Sequence, residues 1–259
     1  MSGTARGNGW VRPMGPLVLT WGGADNPLPI RPIRPPLGER MRGLGAEAPP
    51  WLATGPEGEP FDFCAAVRRL CADITTRCAE LAHVDVSRLL FAVTQARNGR
   101  LRGLQARVTP LRFRGGHLTR QRHGVCYQVQ RYFIDGQEML YLITFCLPRF
   151  LDQNFDEKFI TLFHELYHIG PAFDGDLRRH TGRGTLHMPS KRLFDIQMAE
   201  LARAYLASGP DPALYTFLRL NFAQLRRRHG DVVGVMVPRP KLIPLQEALA
   251  FEVRSARDG

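Results

Sequence analysis

The chain has 259 residues, 44% of them hydrophobic, and a formal net charge of +11. That length can hold one sizeable domain plus tails, and the hydrophobic content is ordinary for a globular protein. No apolar run reaches about 18 residues and the amino terminus lacks a charged-then-apolar pattern, so the expectation is a cytoplasmic protein with no membrane partner.

Residues 1–60 contain 11 Gly and 11 Pro and show neither helical periodicity nor strand alternation. Such a segment buries too little apolar surface to offset its ordering entropy. A disordered lead-in over 1–60 is therefore expected, followed by a domain over 61–246 and a tail over 247–259. Phe63, Val67, Leu70, Cys71, Ile74, Cys78 and Leu81 recur with a 3.6-residue period, which predicts a helix over 61–82. Cys64, Cys71 and Cys78 share one face of it; with Cys126 and Cys146 they make an odd set without C-x-x-C spacing, as expected of reduced, buried packing residues.

Strand-like runs follow at 89–94 and 106–113, and two more at 125–134 and 139–145 flank Asp135-Gly136, a hairpin turn signal. Asn154 with Glu157 three residues on forms a capping box, opening a helix whose stripe is Phe159, Leu162, Phe163, Leu166 and Ile169. Gly170-Pro171 ends that helix. An irregular loop over 170–190 leads to helices near 192–207 and 212–228, and then to a short strand at 232–237. This order predicts an α+β fold with a small antiparallel or mixed sheet.

Inside the capped helix lies His164-Glu165-Leu166-Tyr167-His168, an H-E-x-x-H pentapeptide. Histidines four residues apart project from one face of a helix and can grip one metal ion, and the glutamate beside the first can hold a water that the metal polarises. A catalytic zinc site needs three protein ligands and one open position. His164 and His168 supply two. For the third, His187 is preferred because Met188-Pro189-Ser190 and a helix follow it directly; His180 comes next. Asp174 comes behind these, since the glycine that an H-E-x-x-H-x-x-G-x-x-H register needs at 171 is Pro171, and Asp176 completes the candidates. Glu165 is the expected general base of a zinc-dependent peptide-bond hydrolysis, and Tyr167 a packing residue. Asp195 on the next helix is placed either to orient a ligand histidine or to cap its helix.

The run from Leu142 to Phe150, the block His164–Ile169 with Phe173–His180, and the later Phe194-Asp195 and Pro240–Leu245 together resemble the phage-type metallopeptidase family. The resemblance covers roughly 61–246 and implies a zincin-like fold with Zn2+ held at His164 and His168 and Glu165 catalytic. The histidine ahead of a helix at His187 is similar, more loosely, to SprT-type proteases.

Of the 35 basic residues 32 are Arg, and from Ser87 to Ile134 there are ten Arg and no Asp or Glu. Beside a protein or peptide substrate, this stretch suggests a nucleic-acid or nucleoprotein partner, against the plainer reading of a solvated arginine face. The alternative function is accordingly a nucleic-acid-associated metal-binding protein without proteolytic activity.

Overall fold

The computed structural model describes residues 15–35, 58–98, 103–179 and 191–245. Among them the strands are β1 (Val18–Trp21), β2 (Ile30–Pro32), β3 (Phe61–Asp62), β4 (Leu89–Gln95), β5 (Ala106–Pro110), β6 (Thr119–Arg122), β7 (Val125–Val129), β8 (Arg131–Ile134), β9 (Gln137–Met139), β10 (Tyr141–Leu147), β11 (Val232–Val235) and β12 (Leu242–Pro244). The helices are α1 (Phe63–Arg77), α2 (Phe155–Tyr167), α3 (Lys191–Ala207), α4 (Pro212–Tyr215) and α5 (Phe222–His229). This is an α+β fold, as expected, with its strands divided among small three-stranded sheets.

The sheet that positions the site has the order β4-β10-β5. β10 runs parallel to β4, Tyr141 opposite Leu89, and antiparallel to β5, Ile143 opposite Val108. β10 is central, and six of its seven residues are buried, which suits a strand covered on both faces. α1 packs on β4 and β11, and α2 packs against β5 and α3. β11 approaches so closely that a Cβ on Gly234 would lie 2.8 Å from both Val93 methyls. Cys64 and Cys71 are buried on α1, Cys78 is buried at its C-terminal cap and Cys146 on β10, while Cys126 is only half-buried; all five cysteines are free thiols. Burial pushes the Cys64 thiol up to about 12 and Cys78 up to about 11, which keeps both protonated.

Residues 15–35 correct the expectation of a disordered lead-in. β1 pairs in parallel with β8, Val18 opposite Arg131, and the Trp21 ring meets Tyr132 edge-on at 5.4 Å. β2 pairs antiparallel with β11, and Ile33 beyond it is 1% exposed. These strands are ordered by partners about a hundred residues or more away, which no local pattern could announce. The expectations over 1–14, 36–57 and 247–259 lie outside the described residues.

Three further elements differ. The run 139–145 straddles two strands: β9 pairs with β8 across the Asp135-Gly136 turn, and β10 joins the sheet of β4 and β5. The run 125–134 is two strands, broken at Gln130, whose amide donates to Lys241 O and whose side chain reaches Pro16 O. The stretch 212–228 is α4, a 3-10 turn at Thr216–Arg219, and α5 with a capping box of its own at Asn221 and Gln224. The Asp135-Gly136 turn forms as expected, with φ of 48° and 79°. No helix among the described residues is long and apolar enough to cross a membrane.

Candidate metal centre

α2 begins where its capping box predicts. Glu157 N donates to Asn154 Oδ1 at 2.8 Å and Asn154 N donates to Glu157 Oε2 at 3.1 Å. Phe159, Leu162, Phe163 and Leu166 are buried against the core, which fixes the rotation of the helix. That rotation turns His164 and His168 together, their ring centroids 4.6 Å apart and nearly perpendicular. Phe194 of α3, fully buried, packs edge-on to His164 at 4.7 Å and stacks on His168 at 5.6 Å. Both imidazoles are thereby braced on one apolar ring.

Glu165 is 7% exposed and accepts a hydrogen bond from Val108 N at 2.6 Å. Burial pushes its carboxyl up to about 7, against the opposing pull of the Val108 amide and the Arg107 charge. His164, Glu165 and His168 open on a cleft of about 720 Å³ walled by Arg107 and Val108 of β5 and by Asp195 of α3. Asp195 Oδ1 lies 3.8 Å from His164 Nδ1, close enough for an ion pair but longer than a hydrogen bond. Tyr167 faces away into packing: Gln197 Nε2 donates to its hydroxyl and the Arg178 guanidinium lies 4.1 Å from its ring centre.

After His168 the chain folds back on itself. Arg178 N donates to His168 O at 2.7 Å, Gly170 N to Asp176 O at 3.1 Å, and Ile169 pairs with Leu177. The buried Tyr141 hydroxyl donates to Asp176 O and accepts from Gly175 N, pinning this loop to β10. A Cβ on Gly170 would meet Asp176 O at 2.7 Å, so the glycine expected to stop the helix also permits this approach. Asp174 is held within the loop, accepting from Asp176 N at 3.0 Å and lying against Gly116, and it does not line the cleft. His180 and His187 lie outside the described residues. Among the described residues no third His, Cys, Asp or Glu joins the two histidines as a ligand set.

Val108, Phe194 and Tyr141 were not anticipated as parts of the site. Phe194 falls on a legible apolar stripe with Met198 and Tyr205, yet nothing local names the histidines as its partners. No family model, curated protein or solved structure matches this chain.

Proposed function

We propose that the chain is a zinc-dependent metallopeptidase of zincin type that hydrolyses peptide bonds in a protein or peptide substrate. The observation that carries this reading is the buried Glu165 carboxylate between two braced imidazoles at the wall of an open cleft. Paired imidazole nitrogens on one helix face suit zinc, with His164 and His168 as two ligands and His187, ahead of His180, as the third. A zinc ion held there supplies a Lewis acid for the scissile carbonyl and acidifies a bound water.

The protein's own groups do the rest. Val108 N holds one oxygen of Glu165. The raised proton affinity of that carboxylate suits it to take a proton from the attacking water and return it to the leaving amine. Asp195 stands where it can fix the orientation of His164. β5 is the outer strand of its sheet, and because Val108 N points at Glu165, the outward backbone groups of Ala106 and Val108 face the cleft. An extended peptide can lie along them.

Zinc content by elemental analysis, paired with casein cleavage, tests this. Wild type should carry about one zinc, lost in His164→Ala and His187→Ala and kept in His180→Ala. Glu165→Gln should keep the zinc and cut proteolysis by roughly 10²-fold or more. A zinc-free wild type, or undiminished cleavage by Glu165→Gln, refutes the proposal. The acid-free arginine stretch favours the alternative of a non-proteolytic nucleic-acid-associated protein, for which His180→Ala and His187→Ala would both release the metal and wild type would cut nothing.

A further inference from the structure

The sheet β12-β7-β6 lies outside the metal centre and carries a charge pattern the hydrolytic reading does not use. β6 is its edge strand, and all four of its residues, Thr119–Arg122, are exposed. The register sets Arg120 opposite Tyr127 and Arg122 opposite Val125, while Tyr127 faces Pro244 on the other side. Directly opposed residues share a face, so Arg120, Arg122 and Tyr127 stand together on one side of the sheet. Arg120, Arg122, Val125 and Leu242 on this side are exposed and Tyr127 is half-buried, with only Val129 buried at its end; Ile243 is buried on the opposite side. Arg239 and Lys241, both exposed, lead into the other border of the sheet. Residues 117–130 and 239–245 contain no Asp or Glu.

Two arginines of the basic stretch are matched by a carboxylate. Arg112 and Arg131 both pair with Glu138, at 2.6 and 2.5 Å. Arg120 and Arg122 form no ion pair among the described residues. Two forked cations with an aromatic ring directly across the strand pair fit a phosphodiester chain with an unpaired base between its charges. A duplex keeps its bases stacked inside and leaves such a ring without a partner.

We infer that this face binds single-stranded nucleic acid, with Tyr127 stacking on a base and Arg120 and Arg122 holding the flanking phosphates. The site is independent of the metal centre, so either can fail without the other. The test is fluorescence anisotropy of labelled oligothymidylate and oligouridylate, about 16 nucleotides long, with the full chain. Saturable binding to either is expected, and the preference between them identifies DNA or RNA as the source. Replacing both arginines, Arg120→Gln with Arg122→Gln, should weaken binding at least tenfold and reduce the slope of log K against log salt by about 1.4, roughly 0.7 per lost phosphate contact. Arg120→Lys with Arg122→Lys should keep the slope. Tyr127→Ala should weaken binding about tenfold with the slope unchanged. Circular dichroism checks that each variant stays folded. The inference is overturned by absence of saturable binding, by tighter binding to a duplex of equal length, or by wild-type affinity and slope in the glutamine pair. Capture on phosphatidylglycerol vesicles without oligonucleotide binding overturns it too.

Discussion

Lys158 is 2% exposed inside the helix that carries the histidines, and its Nζ donates to Leu218 O at 2.9 Å and Leu220 O at 2.7 Å. Burial pulls its ammonium down from 10.5 to about 8, with the Asp152 carboxylate opposing the shift. The folded chain thus releases this proton near pH 8 while the unfolded chain keeps it to about 10.5. Within that window the unfolded state binds more protons, so stability rises with pH. At about 1.4 kcal/mol per unit, the full displacement is worth about 3 kcal/mol. The neutral amine keeps two N–H groups, one for each carbonyl, so both hydrogen bonds survive deprotonation. The measurement is urea unfolding of wild type and Lys158→Met at roughly pH 7 and pH 10, where the difference between the two should move by roughly 2–3 kcal/mol in favour of wild type at the higher pH. Other buried groups such as Cys64 and Tyr132, both pushed up to about 12, destabilise each protein alike as pH rises, and cancel in the difference. A difference that does not change with pH, or that moves toward the variant, refutes the reasoning.

Gly170→Ala should drive a methyl against Asp176 O, lower stability by about 2 kcal/mol and reduce Tm by roughly 4–8 °C in a thermal melt. Full retention of Tm would show that the loop after His168 yields freely. Phe194→Leu keeps an apolar group in the wedge but removes the flat surface shared by His164 and His168, so zinc affinity measured by chelator competition should fall about tenfold while helicity is retained. Unchanged affinity would show that the ring packs against the histidines without holding them.

How far the sequence could be read depended on how local each determinant is. The capping box at Asn154 and Glu157 and the stripe of α2 are complete within about fifteen residues, so that helix, its start and the paired histidines were legible. The Asp135-Gly136 turn was legible because both residues take positive φ readily. β1 and β2 were not, since a Pro- and Gly-rich segment becomes strand only when β8 and β11 offer an edge. The break at Gln130 was hidden for a related reason. Alternation marks a strand but does not say which sheet it joins, and β7 and β8 go to different ones. Within the site, Asp195 could be suggested from its place on the next helix, whereas Val108 lies 57 residues from the glutamate it touches and has no distinguishing chemistry.

The contact between Val108 and Glu165 also links the sheet's topology to the chemistry. In a helix, Glu165 stands about 100° around the axis from His164, so a rotation that brings both histidines to the cleft turns the glutamate toward β5 and the core. A carboxylate buried that far needs a donor. In an inner strand, the Val108 N–H would be spent on a neighbouring strand and Glu165 would be left unsatisfied. Because β5 is an edge, its outward amide is available, and it reaches Oε2 at 2.6 Å. That single amide holds one carboxylate oxygen and resists, without abolishing, the rise in proton affinity that burial imposes. The edge position of β5 therefore permits the buried glutamate and, by the same topology, turns the outward backbone of Ala106 and Val108 to the cleft.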